Sequence, residues 1–298
     1  MEKNNLSHDE LLNKINILTN ENLSLNDEIG RLEITLVNIN NRLEEAEALK
    51  SHFVSNISNE IVNPFTSILA LAESILDVDK ENWKKVVSMI ALIHSEVFYL
   101  DFQLKNIFAA AKLEAGELQP EISTVDVNNL INNAIDTFKY ETRHKGLTIE
   151  FIAENKNADT QIFFNTDSEK LNLILTNLLS NAIKFSKKDN KIIIKATRVF
   201  DKLMIEVKDF GIGISKENES IIFDRFKRID SGINSINRGH GLGLSVNKAV
   251  LDLLDGTISF TSKPNEGATF IVHIPESKDI SKGISTDANE LFFKDENF

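Results

Sequence analysis

From residue 11 the apolar positions return every seventh residue, as Leu11, Leu18, Leu25, Leu32, Ile39 and Ala46 in one series and Ile15, Asn22, Ile29, Leu36 and Leu43 in a second. Two such series, three and four residues apart, lie on one face of a helix and predict a coiled-coil seam. Leucine in the first series, with isoleucine, leucine and one asparagine in the second, predicts a parallel dimer, because two Asn22 amides bond each other only when the strands are in register. Glu28 would then face Glu33 of the second copy, but exposed like charges cost only a fraction of a kcal/mol, roughly, so the apolar stripe decides the pairing. A single long helix packing its stripe on another surface is the alternative.

The pattern continues through Phe53, Ile57 and Ile61 to Asn63-Pro64. The residue before a proline is pushed out of helical geometry, so a kink is expected there. After Asp77-Val78-Asp79-Lys80 a second stripe begins, with Val86, Ile90, Ile93, Val97, Leu100, Leu104, Ile107 and Ala111 spaced alternately by four and three, and Gly116 ends it. Two helices joined by a short loop form a hairpin that cannot bury its stripe alone; two hairpins close a four-helix bundle, which implies a homodimer a second time.

From about residue 121 the texture changes to alternating strands and helices. Strands are expected at Thr148–Ile152, Ile162–Asn165, Ile192–Thr197, Leu203–Lys208, Thr257–Ser262 and Thr269–Ile274, and helices around 126–143, 167–186 and 242–254, the first capped by Asp126. The expected fold is α followed by α/β: a coiled coil over 1–50, a helical hairpin forming a dimeric four-helix bundle over 51–120, and an α/β sandwich over 121–276, with helices on one face of a mixed sheet. Residues 277–298 are polar and acidic apart from Leu291-Phe292-Phe293 and are expected to form a disordered tail.

Composition narrows the partners. A formal net charge of -12 over 298 residues argues against a phosphate-backbone footprint, hence no nucleic acid. The absence of cysteine excludes disulfides, iron-sulfur clusters and thiolate zinc sites. No uninterrupted apolar run approaches the ~18 residues of a span, and the start MEKNNLSHDE lacks a signal-peptide pattern, so no membrane insertion and a cytoplasmic setting are expected.

Asp209-Phe210-Gly211-Ile212-Gly213-Ile214 follows an expected strand, and Gly239-His240-Gly241-Leu242-Gly243-Leu244 precedes an expected helix. Glycines in such places let the backbone approach a flat base or a phosphate, and the first amides of the 242–254 helix would point at negative charge. A buried carboxylate at Asp209 only accepts hydrogen bonds, which selects the exocyclic amine of adenine over the carbonyl of guanine. Asn177, Asn181 and Lys184, in Asn177-Leu178-Leu179-Ser180-Asn181-Ala182-Ile183-Lys184, share a helical face. An asparagine carbonyl suits Mg2+ held mainly by triphosphate oxygens and water, and a lysine one turn on can meet phosphate charge.

Taken in order, Asn177–Phe185, Asp209–Ile214, Ile222-Phe223-Asp224-Arg225-Phe226, Gly239–Leu244 and Gly267-Ala268-Thr269-Phe270 resemble the N, G1, F, G2 and G3 boxes of the ATP-binding domain of bacterial sensor histidine kinases. The preceding hairpin is similar to that family's dimerisation and phosphotransfer domain, down to Lys112-Leu113-Glu114-Ala115-Gly116-Glu117-Leu118 at its end. The resemblance covers about residues 50–276. It implies ATP with Mg2+: adenine recognition by Asp209, magnesium at Asn181, phosphate contact by Lys184, and nucleotide contacts by Asn177, Gly211, Gly213, Gly239, Gly241, Leu242, Gly243 and Thr269. It also implies a mobile lid at about 215–240, whose Arg225, Lys227, Arg228 and Arg238 either meet phosphate or form a solvated face.

The departure lies in the hairpin. The family's phosphoacceptor box reads Ser-His-Glu-(Ile/Leu)-Arg-(Thr/Asn)-Pro-Leu, whereas this chain reads Ser58-Asn59-Glu60-Ile61-Val62-Asn63-Pro64-Phe65. Asn59 stands at the acceptor position, two residues from both Ile57 and Ile61, hence about 200° round the helix from the buried stripe and facing water. Its amide nitrogen is no nucleophile, because the lone pair is delocalised into the carbonyl. His52 is followed by Phe53 in place of an acid that could take a proton, and His94 and His240 read as solvated or structural. Glu60 and Asn63 match the positions to which the resemblance assigns dephosphorylation of a response regulator, although Asn63 also suits an Asn-Pro turn.

Three functions remain open on sequence grounds. The first is a family member, ATP-loaded but not autophosphorylating at the usual site, that binds or dephosphorylates the receiver domain of a response regulator on a separate chain. The second is an active kinase using another acceptor or the histidine of a partner kinase subunit. The third is a non-enzymatic scaffold set by nucleotide, a pseudokinase in the strict sense.

Overall fold

The structure is a computed structural model that describes residues 8–79, 82–155, 161–224 and 241–278; within the first helix the side chains of residues 8–10, 42, 45–57, 59 and 60 also lie outside the description. The chain divides into two units, residues 1–59 and 60–298.

The first unit is helical from His8, in helix α1 (His8–Leu76). Its repeating apolar side chains face water: Leu11, Ile15, Leu18, Leu25, Ile29, Leu32, Leu36, Ile39 and Leu43 are each between 47% and 59% exposed. A stripe of that length left in water is what the seven-residue spacing demands of one strand of a coiled coil.

The second unit opens with the end of α1. Helix α1 runs on through Pro64, the position of the expected kink, for three more turns. Pro64 is buried, so packing holds it in the helix and outweighs the single backbone hydrogen bond that a proline removes. Helix α2 (Trp83–Glu114) follows and ends as the sequence indicates: Gly116 takes φ +67°, its N–H bonds Leu113 O at 3.2 Å, and Glu117 N–H bonds Lys112 O at 2.9 Å. That pairing satisfies two carbonyls the helix end would otherwise strand. Helix α2 has the length and mean hydropathy of a membrane span. Its second half nevertheless packs against protein, burying Leu100, Gln103, Asn106, Ile107, Ala109 and Ala110, and its outer face carries a Lys105–Asp101 ion pair at 2.8 Å.

Residues from 123 onward form the α/β part. A short ribbon pairs β1 (Ser123–Asp126) with β3 (Phe163–Thr166) antiparallel. A five-stranded sheet is built from β2 (Thr148–Asn155), β4 (Lys191–Val199), β5 (Lys202–Asp209), β6 (Thr257–Lys263) and β7 (Gly267–Pro275) in the order β2-β4-β5-β7-β6. The β2–β4 pair is parallel and the others are antiparallel, so the sheet is mixed as expected. Strands β4 and β5 alternate buried and half-buried positions, which turns Ile192, Ile194, Leu203 and Ile205 to one face. Helix α5 (Ser168–Phe185) covers that face with Leu171, Ile174, Leu175, Leu178 and Leu179, all essentially without solvent contact, and is flanked by α3 (Val127–Thr137) and α7 (Gly243–Leu253).

The helix starts follow local chemistry. Asp126 accepts from Asn129 N–H at 3.1 Å, as its cap position predicts, and Asp167 does the same for Lys170 N–H at 3.0 Å. Asp167 also accepts from Lys170 Nζ and from Glu121 N–H, both at 2.6 Å, so the chain arriving from the hairpin is fastened to the start of α5. At the far end of the domain Ser277 N–H bonds Asn165 O at 3.0 Å, on the same β1–β3 ribbon.

Three elements differ from expectation. Strand β1 and the one-turn helix α6 (Lys216–Glu219) were not foreseen, and the helix expected over 126–143 is two, α3 and α4 (Lys139–Lys145), broken at Phe138. Phe138 is turned inward and meets Phe98 and Phe102 of α2 edge to face, with centroids 5.6 and 6.1 Å apart. The aromatic contact outweighs one helical residue.

Candidate nucleotide site

Strand β5 delivers Asp209 to a buried corner, where it is 4% exposed. Its Oδ1 accepts from Gly211 N–H at 2.8 Å and from Ala268 N–H at 3.3 Å. Burial pushes its carboxyl above the ordinary carboxylate range, and those two amides oppose the shift. The site therefore presents an acceptor fixed by backbone donors and poorly solvated, the arrangement that reads an amine on a flat base.

The glycines do more for the chain than the spacing implied. A Cβ on Gly211 would lie 2.1 Å from Phe185 O, one on Gly213 2.0 Å from Lys263 O, and one on Gly267 2.1 Å from Asp209 O. Their first task is to let backbone approach backbone, bringing the turn after β5, the C-terminal end of α5 and the β6–β7 turn into one corner. Ile212 N–H bonds Phe185 O at 3.2 Å and Asn265 N–H bonds Ile212 O at 2.7 Å across these approaches. Gly211→Ala is expected to cost about 1–3 kcal/mol by overpacking; a denaturant midpoint equal to that of the native protein would show the corner to be looser than it looks. Thr269, one residue beyond Ala268 and opposite Lys208 on β5, is half-buried beside this corner.

Helix α5 brings the asparagines. Asn181 and Lys184 are half-buried, and Lys184 Nζ sits 4.9 Å over its neighbour Phe185. Asn177 is 2% exposed, and its Nδ2 donates to Asn106 Oδ1 at 2.7 Å, Asn247 Oδ1 at 2.8 Å and Gly243 O at 3.3 Å, while its Oδ1 has no partner among the described residues. The structure thus sets Asn177 against the start of α7 and against α2. A further residue carried no signal in the sequence: Lys145 at the end of α4, whose Nζ donates to Ile183 O and Lys184 O, both at 2.7 Å. It closes the carbonyl end of α5 just where Asn181 and Lys184 stand. Burial, with Lys188 nearby, lowers the pKa of that ammonium.

At the start of α7, Gly241 takes φ +68°, Leu242 is buried, and its carbonyl accepts from Val246 N–H at 2.8 Å and Ser245 Oγ at 2.9 Å. Phe223, within the first part of the expected lid, meets Phe260 edge to face at 5.9 Å, with Lys248 Nζ 5.9 Å over its ring. Gly239, His240 and the expected lid cations Arg225, Lys227, Arg228 and Arg238 lie outside the described residues, as does nearly all of the expected tail.

Among the described residues no cluster of three His, Asp or Glu is placed to hold a metal ion. A magnesium ion carried mainly by the nucleotide's own oxygens suits this donor set, with the half-buried Asn181 as the protein's oxygen. In the hairpin, Asn63 is exposed on α1, whereas the side chains of His52, Asn59 and Glu60 lie outside the described residues. His94 is exposed, its ring 6.4 Å from Tyr140 and edge-on to it.

Residues 166–278 match the family described as histidine kinase-, DNA gyrase B- and HSP90-like ATPase. The chain is 27% identical over 274 residues to the signal transduction histidine-protein kinase BarA of Escherichia coli K12, covering 90% of this chain and 29% of that protein. It thus spans under a third of that relative's length. Two solved structures share the fold. One is histidine kinase ThkA in complex with response regulator protein TrrA, at TM-score 0.53 and 24% identity, covering 78% of this chain and 64% of that one. The other is full-length ShkA in complex with AMPPNP, at TM-score 0.54 and 21% identity, covering 75% and 45%. With the corner around Asp209 and the asparagine face of α5, these likenesses make residues 166–278 an ATPase domain of the histidine kinase, gyrase and HSP90 type, within a chain that is similar along most of its length to a signal transduction histidine-protein kinase.

Proposed function

We propose that the chain is a homodimeric two-component signalling protein that binds ATP with Mg2+ and acts on the receiver domain of a response regulator carried by a separate chain, without phosphorylating its own residue 59. The observation that carries this is the pairing of an intact corner at Asp209 with an asparagine at the acceptor position. Asp209 takes the adenine amine, Asn181 and Lys184 face the triphosphate and its magnesium, and the exposed leucine stripe of α1 supplies the dimer contact. The complex of ThkA with a response regulator supports the choice of partner, and AMPPNP in ShkA the choice of nucleotide. ATP and receiver domains share the cytoplasm, which is where this activity would operate.

Asn63 is the residue assigned to the regulator. Its exposed amide orients a water in line with the phosphorus of an aspartyl phosphate. The water oxygen forms the new P–O bond, the bond to the aspartyl oxygen breaks, and the products are inorganic phosphate and the free carboxylate. Glu60, adjacent to residue 59 in the sequence, is the acid we assign to take the water's proton. Asn63→Ala is expected to slow release of phosphate from a phosphorylated receiver domain by about a hundredfold, the usual penalty for a misplaced reactant. A rate unchanged by the substitution would sink the phosphatase and leave a nucleotide-set scaffold.

A further inference from the structure

Three buried asparagines from three helices meet at one point: Asn106 on α2, Asn177 on α5 and Asn247 on α7, exposed by 2%, 2% and 0%. The orientation of each amide follows from its neighbours. Asn106 Nδ2 donates to Phe102 O at 3.0 Å within its own helix, and Asn247 Nδ2 donates to Ile174 O at 3.1 Å. Both therefore turn Oδ1 toward Asn177, which must answer with its amino group, at 2.7 and 2.8 Å. Two hydrogens are thereby used, and Gly243 O, the third acceptor at 3.3 Å, receives the poorest share.

The cost falls on the other end of the same side chain. Asn177 Oδ1 is buried with no donor among the described residues, so the solvation it gave up is uncompensated. It lies against the glycine turn: a Cβ on Gly243 would be 3.4 Å from it. A polar network satisfied on one side only is poised to rearrange when a ligand arrives that can pair the free oxygen.

We propose that Asn106 is a latch through which α2 competes with bound nucleotide for Asn177. Asn177 Oδ1 is shut off from solvent where it stands, so presenting it to magnesium-bound water or phosphate-linked donors requires the amide to rotate, and rotation breaks its 2.7 Å bond to Asn106 of α2. Nucleotide loading and docking of α2 are then mutually opposed, and by linkage each weakens the other to the same degree. The hairpin thus senses the state of the ATP site through one amide, and the site senses the hairpin. This rests on Asn177 belonging to the nucleotide face of α5.

The test uses the full chain and two variants, Asn106→Ala and the isosteric Asn106→Leu, which removes the acceptor while filling the space. Calorimetric titration with ATP and Mg2+ is expected to show both variants binding about fivefold tighter or more than the native protein, the low end of usual coupling. Hydrogen exchange over residues 102–110 is expected to rise when nucleotide is added to the native protein, and to be raised already, without nucleotide, in Asn106→Ala. Equal or weaker ATP affinity in both variants, with unfolding midpoints showing them folded, overturns the latch. Unaltered exchange over 102–110 in nucleotide-free Asn106→Ala overturns it whether or not ATP binds. Absence of ATP binding in the native protein and both variants overturns the nucleotide site instead, and the nucleotide-free exchange comparison still decides the latch.

Discussion

Asn59→His is expected to convert a chain that takes up no label from γ-labelled ATP into one that does. The native amide nitrogen has no free lone pair, whereas an imidazole at that position attacks the γ-phosphorus: the N–P bond forms, the bond to the β-phosphate oxygen breaks, ADP leaves, and Glu60 is one residue away to receive the proton. The label should appear as a phosphoramidate, lost in acid and kept in alkali. Label on the native protein would contradict the reading of residue 59, and His52, on nearly the same helical face, would be the first place to look. Adding Asp209→Asn to the histidine variant should abolish its labelling, which ties the gain to this chain's own ATP site.

Asp209→Asn alone is expected to weaken ATP binding by about 10- to 100-fold, the equivalent of one hydrogen bond to a charged group at about 1.5–3 kcal/mol, because the new amino group opposes the adenine amine. The same substitution should leave the fold intact or firmer. Asparagine Oδ1 still accepts from Gly211 N–H, and no buried charge remains. The pH dependence follows from the upward shift at Asp209. A carboxyl that holds its proton more tightly in the folded chain than in the unfolded one contributes stability that is complete below the unfolded pKa and is lost as pH rises through the folded value. The thermal advantage of Asp209→Asn should therefore be greatest near neutral pH and fade on acidification toward the ordinary carboxylate range. An advantage that grew on acidification would mean that Asp209 is held as a stabilised anion.

Much of this corner was legible in the order of residues. Asn177 to Phe185, the two glycine clusters and the alternation in β4 and β5 each carry a strong local period, and Asp126 announced its helix. What stayed hidden depends on partners far along the chain. Strand β1 has four residues and gains its identity from Phe163–Thr166, some forty residues away. Phe138 breaks a helix for the sake of Phe98 and Phe102. Pro64 stays helical because it is buried. Asn177 and Asn181 look alike in sequence as members of one helical face, yet burial turns the first toward α2 and α7 and leaves the second half in solvent. Lys145 carried no signal, since a lysine closing a helix 38 residues downstream looks like any surface lysine.

The fastening of Glu121 to Asp167 and of Ser277 to Asn165 brings the two ends of the α/β part to residues only two apart, one on β3 and one at the cap of α5 just after it. A module whose ends meet behaves as a cassette: it can be spliced into a longer chain without stretching that chain, and circular permutation should join its ends with a short linker. It also means that a pull on whatever is attached after residue 278 is felt at the hairpin junction, with the force looping past the sheet and the nucleotide corner.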